Sequence, residues 1–236
     1  MKLLVHRYGA IGDTLTLSAF LAPLRAKFDV IILSGQEERL RLIDPGLYDE
    51  VLSYDLARRD VARLAEKADL SVAFSAGAME GFQVRRAPFP ADRTNIYDYM
   101  RNIALSLGGD AAAILRIPEA TGKGLIIHPG SGSAAKNAPL EFFLEEAHRG
   151  NHPTFLLGPA EAASMERLIS AAGFVWKRPE TLLDMKKLIL DHDSFLGNDS
   201  GPAHLAALGG LSTRICYRGS DPADWLPPGN VVVMKG

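Results

Sequence analysis

The stretch "FLGNDSGPAHLAALGG" (residues 195–210) runs from a short apolar segment, through a polar turn, into a helix of small residues. A structural turn needs about two turn-forming residues, yet this one gathers Asn198, Asp199, Ser200, Gly201 and His204 where an apolar strand ends. Ser200 or Gly201 suits the cap of the helix. Pro202 suits its first turn, where a missing N–H costs nothing. Amides left open at that helix start favour an anion. Asp199 would repel a phosphate set directly against it and is better suited to accept hydrogen bonds from hydroxyls. The pair of features points to a ligand with both parts, a sugar phosphate.

The same strand–turn–helix texture recurs along the chain, and it predicts an α/β protein with mostly parallel sheets. Strands are expected at 2–7, 30–35, 50–54 and 70–75. Helices are expected at 14–28 (kinked at Pro23), in "QEERLRLI", at 56–67 and at 95–109. Residues 109–124 hold small residues, Pro and Gly with little periodicity, the texture of a linker. The alternation then restarts, with strands at 125–130, 154–158, 194–198, 213–218 and 230–235. Helices are expected at 139–149, 160–172, 181–192 and 202–209. Two Rossmann-like halves follow, 1–108 and 124–236, joined by 109–123. Ligands in such folds bind beyond the carboxyl ends of the strands, so two halves imply a cleft between facing loops.

Composition narrows the function. The chain has 236 residues, 47% hydrophobic and 23% charged, with a formal net charge of −2. That balance argues against a nucleic-acid binder. A single cysteine, Cys216, rules out an internal disulfide framework and fits a reducing compartment, with the thiol structural. No secretory cleavage pattern and no run of about 18 apolar residues is present, so a soluble cytoplasmic protein is expected.

Two further strand ends carry candidate chemistry. In "RYGAIGDTL" (7–15), Gly9 and Gly12 allow close backbone approach or positive φ, and Asp13 stands at a helix start, as a cap, a site residue or both. The turn is not GxGxxG, which argues against a dinucleotide-binding oxidoreductase. In "IIHPGSGSAAKNAPLEFF" (126–143), Ser131, Gly132, Ser133 and Lys136 offer hydroxyls, amides and an ammonium group, a cradle for phosphate oxygens or else a solvated loop. The spacing is not that of a Walker A loop. His148 and His152 in "HRGNH" lack a third ligand and read as surface residues. "DHD" (191–193) reads as solvation of a helix end. Arg85 and Arg86 lie in an irregular segment, as a solvated pair or a contact for an acidic acceptor.

Taken together, "GAIGDTL", "HPGSGSAAKNAPLEFF", "FLGNDSGPAHLAALGG" and "SDPADWLPPG" resemble glycosyltransferase family 9, the bacterial heptosyltransferases of lipopolysaccharide assembly. The resemblance spans most of the chain, and "GNDSGPAHLAA" is its most specific part. It implies a GT-B fold, two Rossmann-like domains with parallel sheets facing each other across a cleft, and an inverting, metal-independent transfer. By that resemblance Asp13 is the catalytic base, with Gly9 and Gly12 in the acceptor-side loop. Ser131, Gly132, Ser133, Lys136, Asp199, Ser200, Gly201 and His204 meet the donor's sugar and phosphates, and Glu161 its ribose. The implied donor is a nucleotide-diphosphate sugar, ADP-heptose above others, with no separate cofactor and no metal. The implied acceptor is a saccharide or lipid-linked saccharide of the cell envelope, with at most peripheral contact with the inner membrane.

One departure favours a second expectation. Family members are usually longer, and the sequence stops soon after "NVVVMKG", before the C-terminal helix that typically braces the first domain of GT-B enzymes. A reduced, non-catalytic nucleotide-sugar-binding module is therefore the alternative.

Overall fold

The computed structural model describes the chain except residues 78, 151, 152, 160, 162, 235 and 236 and the side chains of residues 56–58. The chain divides into two compact units, Met1–Arg116 and Ile117–Gly236.

The first unit is built on five parallel strands: β1 (Lys2–Arg7), β2 (Val30–Gly35), β3 (Glu50–Ser53), β4 (Leu70–Phe74) and β5 (Val84–Arg86). Their spatial order is β3-β2-β1-β4-β5. Leu3 to Val5 and Ile31 to Leu33 are buried without interruption, the apolar run expected of parallel strands covered on both faces. The helices are α1 (Ile11–Leu15), α2 (Leu17–Leu21), α3 (Glu37–Leu40), α4 (Tyr54–Lys67) and α5 (Ile96–Ser106).

Two expectations change here. The helix expected at 14–28 is three short pieces, α1, α2 and a 3-10 turn over Ala22–Leu24 that starts beside Pro23. Hydroxyls of Thr14 and Thr16 donate back to the carbonyls of Ala10 and Asp13, a competition that bends helices. Arg85 and Arg86, read as irregular, belong to the edge strand β5.

The second unit has six parallel strands: β6 (Leu125–His128), β7 (Thr154–Leu156), β8 (Val175–Lys177), β9 (Ser194–Asn198), β10 (Ser212–Cys216) and β11 (Val231–Met234). The order is β11-β10-β9-β6-β7-β8. Helices α6 (Leu140–Arg149), α7 (Ala163–Ala171), α8 (Leu182–Leu190), α9 (Gly201–Leu208) and α10 (Pro222–Trp225) connect them. Leu125, Ile127, Phe143, Phe155, Leu157 and Leu196 form part of its core.

Read from the central strand outward, both sheets have the Rossmann order. The chain direction of winding reverses between β1 and β4 in the first unit and between β6 and β9 in the second. At such a switch point the loops leave the sheet in opposite directions and open a crevice beyond the strand ends. All three junctions singled out from the sequence sit there: 7–15 after β1, 129–139 after β6 and 199–201 after β9.

Candidate active site

In the first unit, β1 ends on Arg7 and the chain turns through Tyr8–Ala10 into α1. Asp13 is the third residue of α1, and its Oδ2 accepts from the backbone amide of Ala10, the N-cap, at 2.9 Å. Asp13 thus caps the helix from inside, as the acidic partner of a capping box does. No cation stands within ion-pair distance of its carboxylate among the described residues. Gly9 lies so close that a Cβ there would come within 2.8 Å of Asp13 Cβ and 2.9 Å of its Oδ2. Gly12 is the second residue of α1. Neither glycine has a positive φ. Close approach to Asp13, and not left-handed backbone, is what Gly9 supplies.

Arg7 underlies this loop, although it carried no assignment from the sequence. It is 1% exposed, its Nε donates to the Asp13 carbonyl at 2.6 Å, and its NH1 donates to the Pro88 carbonyl at 2.9 Å. The guanidinium lies 5.7 Å from the Phe74 ring centre and 5.5 Å from that of Phe89. Burial pushes it down to about 10, against the pull of Asp13 and Tyr99, so it stays charged. A cation held between two carbonyls and two rings ties the Asp13 loop to the end of β4.

In the second unit three loops meet. Asn198, the last residue of β9, is fully buried. Its Nδ2 donates to the Pro129 carbonyl at 2.7 Å, and its Oδ1 accepts from the Ala138 amide at 2.9 Å. One side chain therefore staples both ends of the 129–138 loop to β9. Inside that loop the Ser133 amide donates to Ser131 Oγ at 3.2 Å, and this hydroxyl donates to the Ser133 carbonyl at 2.8 Å. Gly132 and Ser133 are exposed, and a 3-10 turn over Ala134–Lys136 carries the ammonium group.

Asp199 is the hub. Ser220 Oγ donates to its Oδ2 at 2.6 Å, Lys136 Nζ stands 3.7 Å from the same oxygen, and His204 Nε2 lies 3.6 Å from Oδ1. Its own amide donates to the Cys216 carbonyl at 3.0 Å. Asp199 and His204 side chains are 8% and 3% exposed, whereas Lys136 is 39% exposed. Burial alone would raise the Asp199 carboxyl. The bonds from His204 and Ser220, with the charges of His204 and Lys136, outweigh it and hold the group below the ordinary carboxylate range. Nearby Tyr217 is pushed up by burial and by the charge of Asp199.

Ser200 is the N-cap of α9, but its hydroxyl makes no cap bond. The hydroxyls of Ser200 and Tyr217 are buried without a partner among the described residues. A buried, unsatisfied hydroxyl costs free energy that a bound acceptor or donor group would recover. Gly201 opens α9, with Pro202 second, as expected.

Glu161 stands beyond β7. Its carboxylate accepts from the Gly158 amide and rests against Gly130, where a Cβ would fall 1.7 Å from Oε1. Arg178 holds the same turn through the Gly158 and Glu161 carbonyls. His128, at the end of β6, bonds the Leu156 carbonyl through Nδ1 at 3.0 Å. Burial pushes its imidazole down, so it is neutral. A concavity of 410 Å³ lined by Trp176, Lys177, Arg178, Pro179, Asp184 and Leu188 opens at the end of β8.

The structure thus brings Lys136, Asp199, Ser200, Gly201 and His204 to one switch point, with Ser131 to Ser133 on the same loop as Lys136. Glu161 sits on the neighbouring turn and Asp13 in the first unit. Sequence reading left Asn198, Tyr217 and Ser220 without a role. An Asn or Arg closing a wholly buried strand is a signal in itself, since a buried polar end group needs partners. Ser220 and Tyr217 gave no such signal. His152 lies outside the described residues, and His148 donates from Nδ1 to the Leu144 carbonyl within α6 at 2.7 Å.

No protein-family model matches the chain, and no curated protein matches it by sequence. Solved structures do match. A glycosyl transferase of family 9 from Veillonella parvula superposes with a TM-score of 0.77 at 17% identity, covering 100% of this chain and 86% of that one. The ADP-heptose lipopolysaccharide heptosyltransferase II of E. coli gives 0.77 at 17% identity, covering 99% and 90%. An E. coli heptosyltransferase solved with ADP gives 0.74 at 14%, covering 100% and 93%. The likeness is one of fold: this chain has the GT-B fold of the family 9 glycosyltransferases, two Rossmann-like units with all-parallel sheets.

Proposed function

We propose that the protein is an inverting glycosyltransferase that moves a sugar from a nucleotide-diphosphate donor to a saccharide acceptor of the cell envelope, with ADP-heptose the favoured donor. The observation that carries this reading is the gathering of Lys136, Asp199, Ser200 and His204 at the switch point of the second unit, next to the open Ser131–Ser133 loop. The fold match to transferases, some of them solved with ADP or an ADP-heptose analogue, supports it.

In this mechanism the diphosphate rests on the 131–136 loop and the start of α9, where amides and Lys136 meet the charge that builds as it leaves. That supply of positive charge from the chain itself is the basis for proposing metal independence. Glu161 takes the ribose hydroxyls. Asp13 is the general base. It takes the proton of the acceptor hydroxyl as that oxygen attacks the anomeric carbon, the carbon–oxygen bond to the diphosphate breaks, and the configuration inverts. A positioned base contributes about 10²–10⁴-fold. The Arg7 clamp on the Asp13 carbonyl and the bond from the Ala10 amide fix where that base points.

The test is nucleotide release from candidate sugar donors, with and without acceptor, for wild type and Asp13→Ala, together with donor binding by calorimetry. Loss of turnover with donor binding retained is the expected result. Wild type that binds donor yet never turns it over with any envelope saccharide would leave the binding module as the reading. Turnover in the presence of EDTA equal to that with added divalent cation is expected as well.

A further inference from the structure

The donor reading leaves Asp199 with a chemical difficulty. A carboxylate beside a diphosphate repels it, and the simplest resolution is that Asp199 accepts hydroxyls of the sugar. The carboxylate also has partners of its own within the protein. Oδ2 is occupied by Ser220 at 2.6 Å and approached by Lys136 at 3.7 Å, Oδ1 faces His204 at 3.6 Å, and the side chain is 8% exposed.

We propose that Ser220 is a positioning residue of the donor site. By donating to Asp199 Oδ2 it fixes the carboxylate that orients Lys136 and His204 toward the diphosphate. This rests on the donor-site reading above.

Three elements converge to make the arrangement possible. Lys136 comes from the turn after β6, Asp199 and His204 from β9 and α9, and Ser220 from the loop after β10. Lys136 is half-exposed on a long stem and would otherwise sample many rotamers, an entropy lost on being fixed. A charge held in one place by a buried partner orders the ammonium group before ligand arrives, which is preorganisation. Ser220 in turn does two things for Asp199: it occupies one lone pair, and it helps keep the group ionised despite burial. The groups facing Asp199 are therefore Lys136, His204, Ser220 and, at the end of β10, Tyr217. Removing the Ser220 hydroxyl leaves burial pushing the carboxyl up, with less to oppose it.

The experiment measures ADP binding by calorimetry, with inorganic pyrophosphate as a base-free probe, for wild type, Ser220→Ala, Ser220→Thr, Lys136→Ala and the Lys136→Ala/Ser220→Ala pair. Ser220→Ala should weaken ADP binding about fivefold, the effect of one hydrogen bond to a charged group acting indirectly. Thr, which keeps the hydroxyl, should restore binding to within about twofold. In the Lys136→Ala background the serine change should have almost no effect, because its route runs through that ammonium group. The acid side of the ADP binding profile should move to higher pH in Ser220→Ala. Additive losses in the pair, or no loss in Ser220→Ala, would overturn the proposal while leaving the donor site standing. If Lys136→Ala binds both probes like wild type, the donor-site reading itself fails, and this inference with it.

Discussion

His6 lies in the middle of the first sheet with 3% of its surface exposed. Its Nδ1 is 3.4 Å from Ser34 Oγ, and its ring packs 4.5 Å from Tyr54 and 5.9 Å from Phe82. Burial pushes the imidazole down to about 4, with Asp55 pulling weakly the other way. The ordinary value is 6.5, so between those values the unfolded chain holds a proton that the folded chain refuses. Stability from this residue is fully present above about pH 6.5 and is lost as the pH falls toward 4. At pH 5.0 the loss comes to about 2 kcal/mol, from a ceiling of about 3. With a urea slope of about 2 kcal/mol per molar, the midpoint should fall by about 1 M between pH 7.5 and 5.0 through His6 alone. His6→Phe keeps an aromatic ring between Tyr54 and Phe82 and removes the titration. Urea unfolding followed by far-UV circular dichroism at both pH values, wild type against variant, isolates the effect from other titrating groups. A variant whose midpoint drops as much as that of wild type would refute the reasoning.

Asn198→Ala should cost about 2 kcal/mol of stability, since it strands the Pro129 carbonyl and the Ala138 amide in a buried place; it should also weaken ADP binding by loosening the 131–136 loop, and calorimetry with urea unfolding reads both. Arg7→Lys keeps a buried cation but cannot bridge two carbonyls in a fixed fork, so stability should fall by about 2 kcal/mol in urea unfolding. Turnover should fall further than folded fraction explains, because the Asp13 loop loses its tether. Cys216 is fully buried, and its thiol is pushed up to about 11, so iodoacetamide at pH 8 should leave it unmodified in the native protein and label it after denaturation, as mass spectrometry would show.

The parts of the fold that were readable from sequence are those where burial is two-sided. Strands such as Leu3–Val5 and Phe195–Leu196 announce themselves as apolar runs because helices cover both faces of a parallel sheet. Edge strands do not. β8 is three residues long, with Val175 and Lys177 exposed about a partly buried Trp176, so it makes no buried apolar run, and two of the three residues of β5 are arginines. The segment at 14–28 carries an apolar helical period throughout, but Pro23 and two back-bonding threonines break it. At the site, Lys136, Asp199 and His204 were readable as unusual residues at strand ends. Their pairing was not, because it depends on which strands become neighbours. Ser220 is an ordinary serine in a loop until β10 lies beside β9 and brings it to Asp199, 21 residues away.

The switch point in the second unit also has a kinetic consequence. β6 pairs on one side with β7 and on the other with β9, whose partner for Leu125 is Ser194. The β6–β7 contact closes over one helix, α6, whereas the β6–β9 contact must bring together segments with three helices and two strands between them. The last of the two to form is expected to be the distant one, and the Asn198 staple and the Lys136–Asp199 pair exist only after it. A ligand bound at that seam would therefore act mainly on the rate at which the sheet opens, and little on the rate at which it assembles. Occupancy of the site would lengthen the lifetime of the folded second unit.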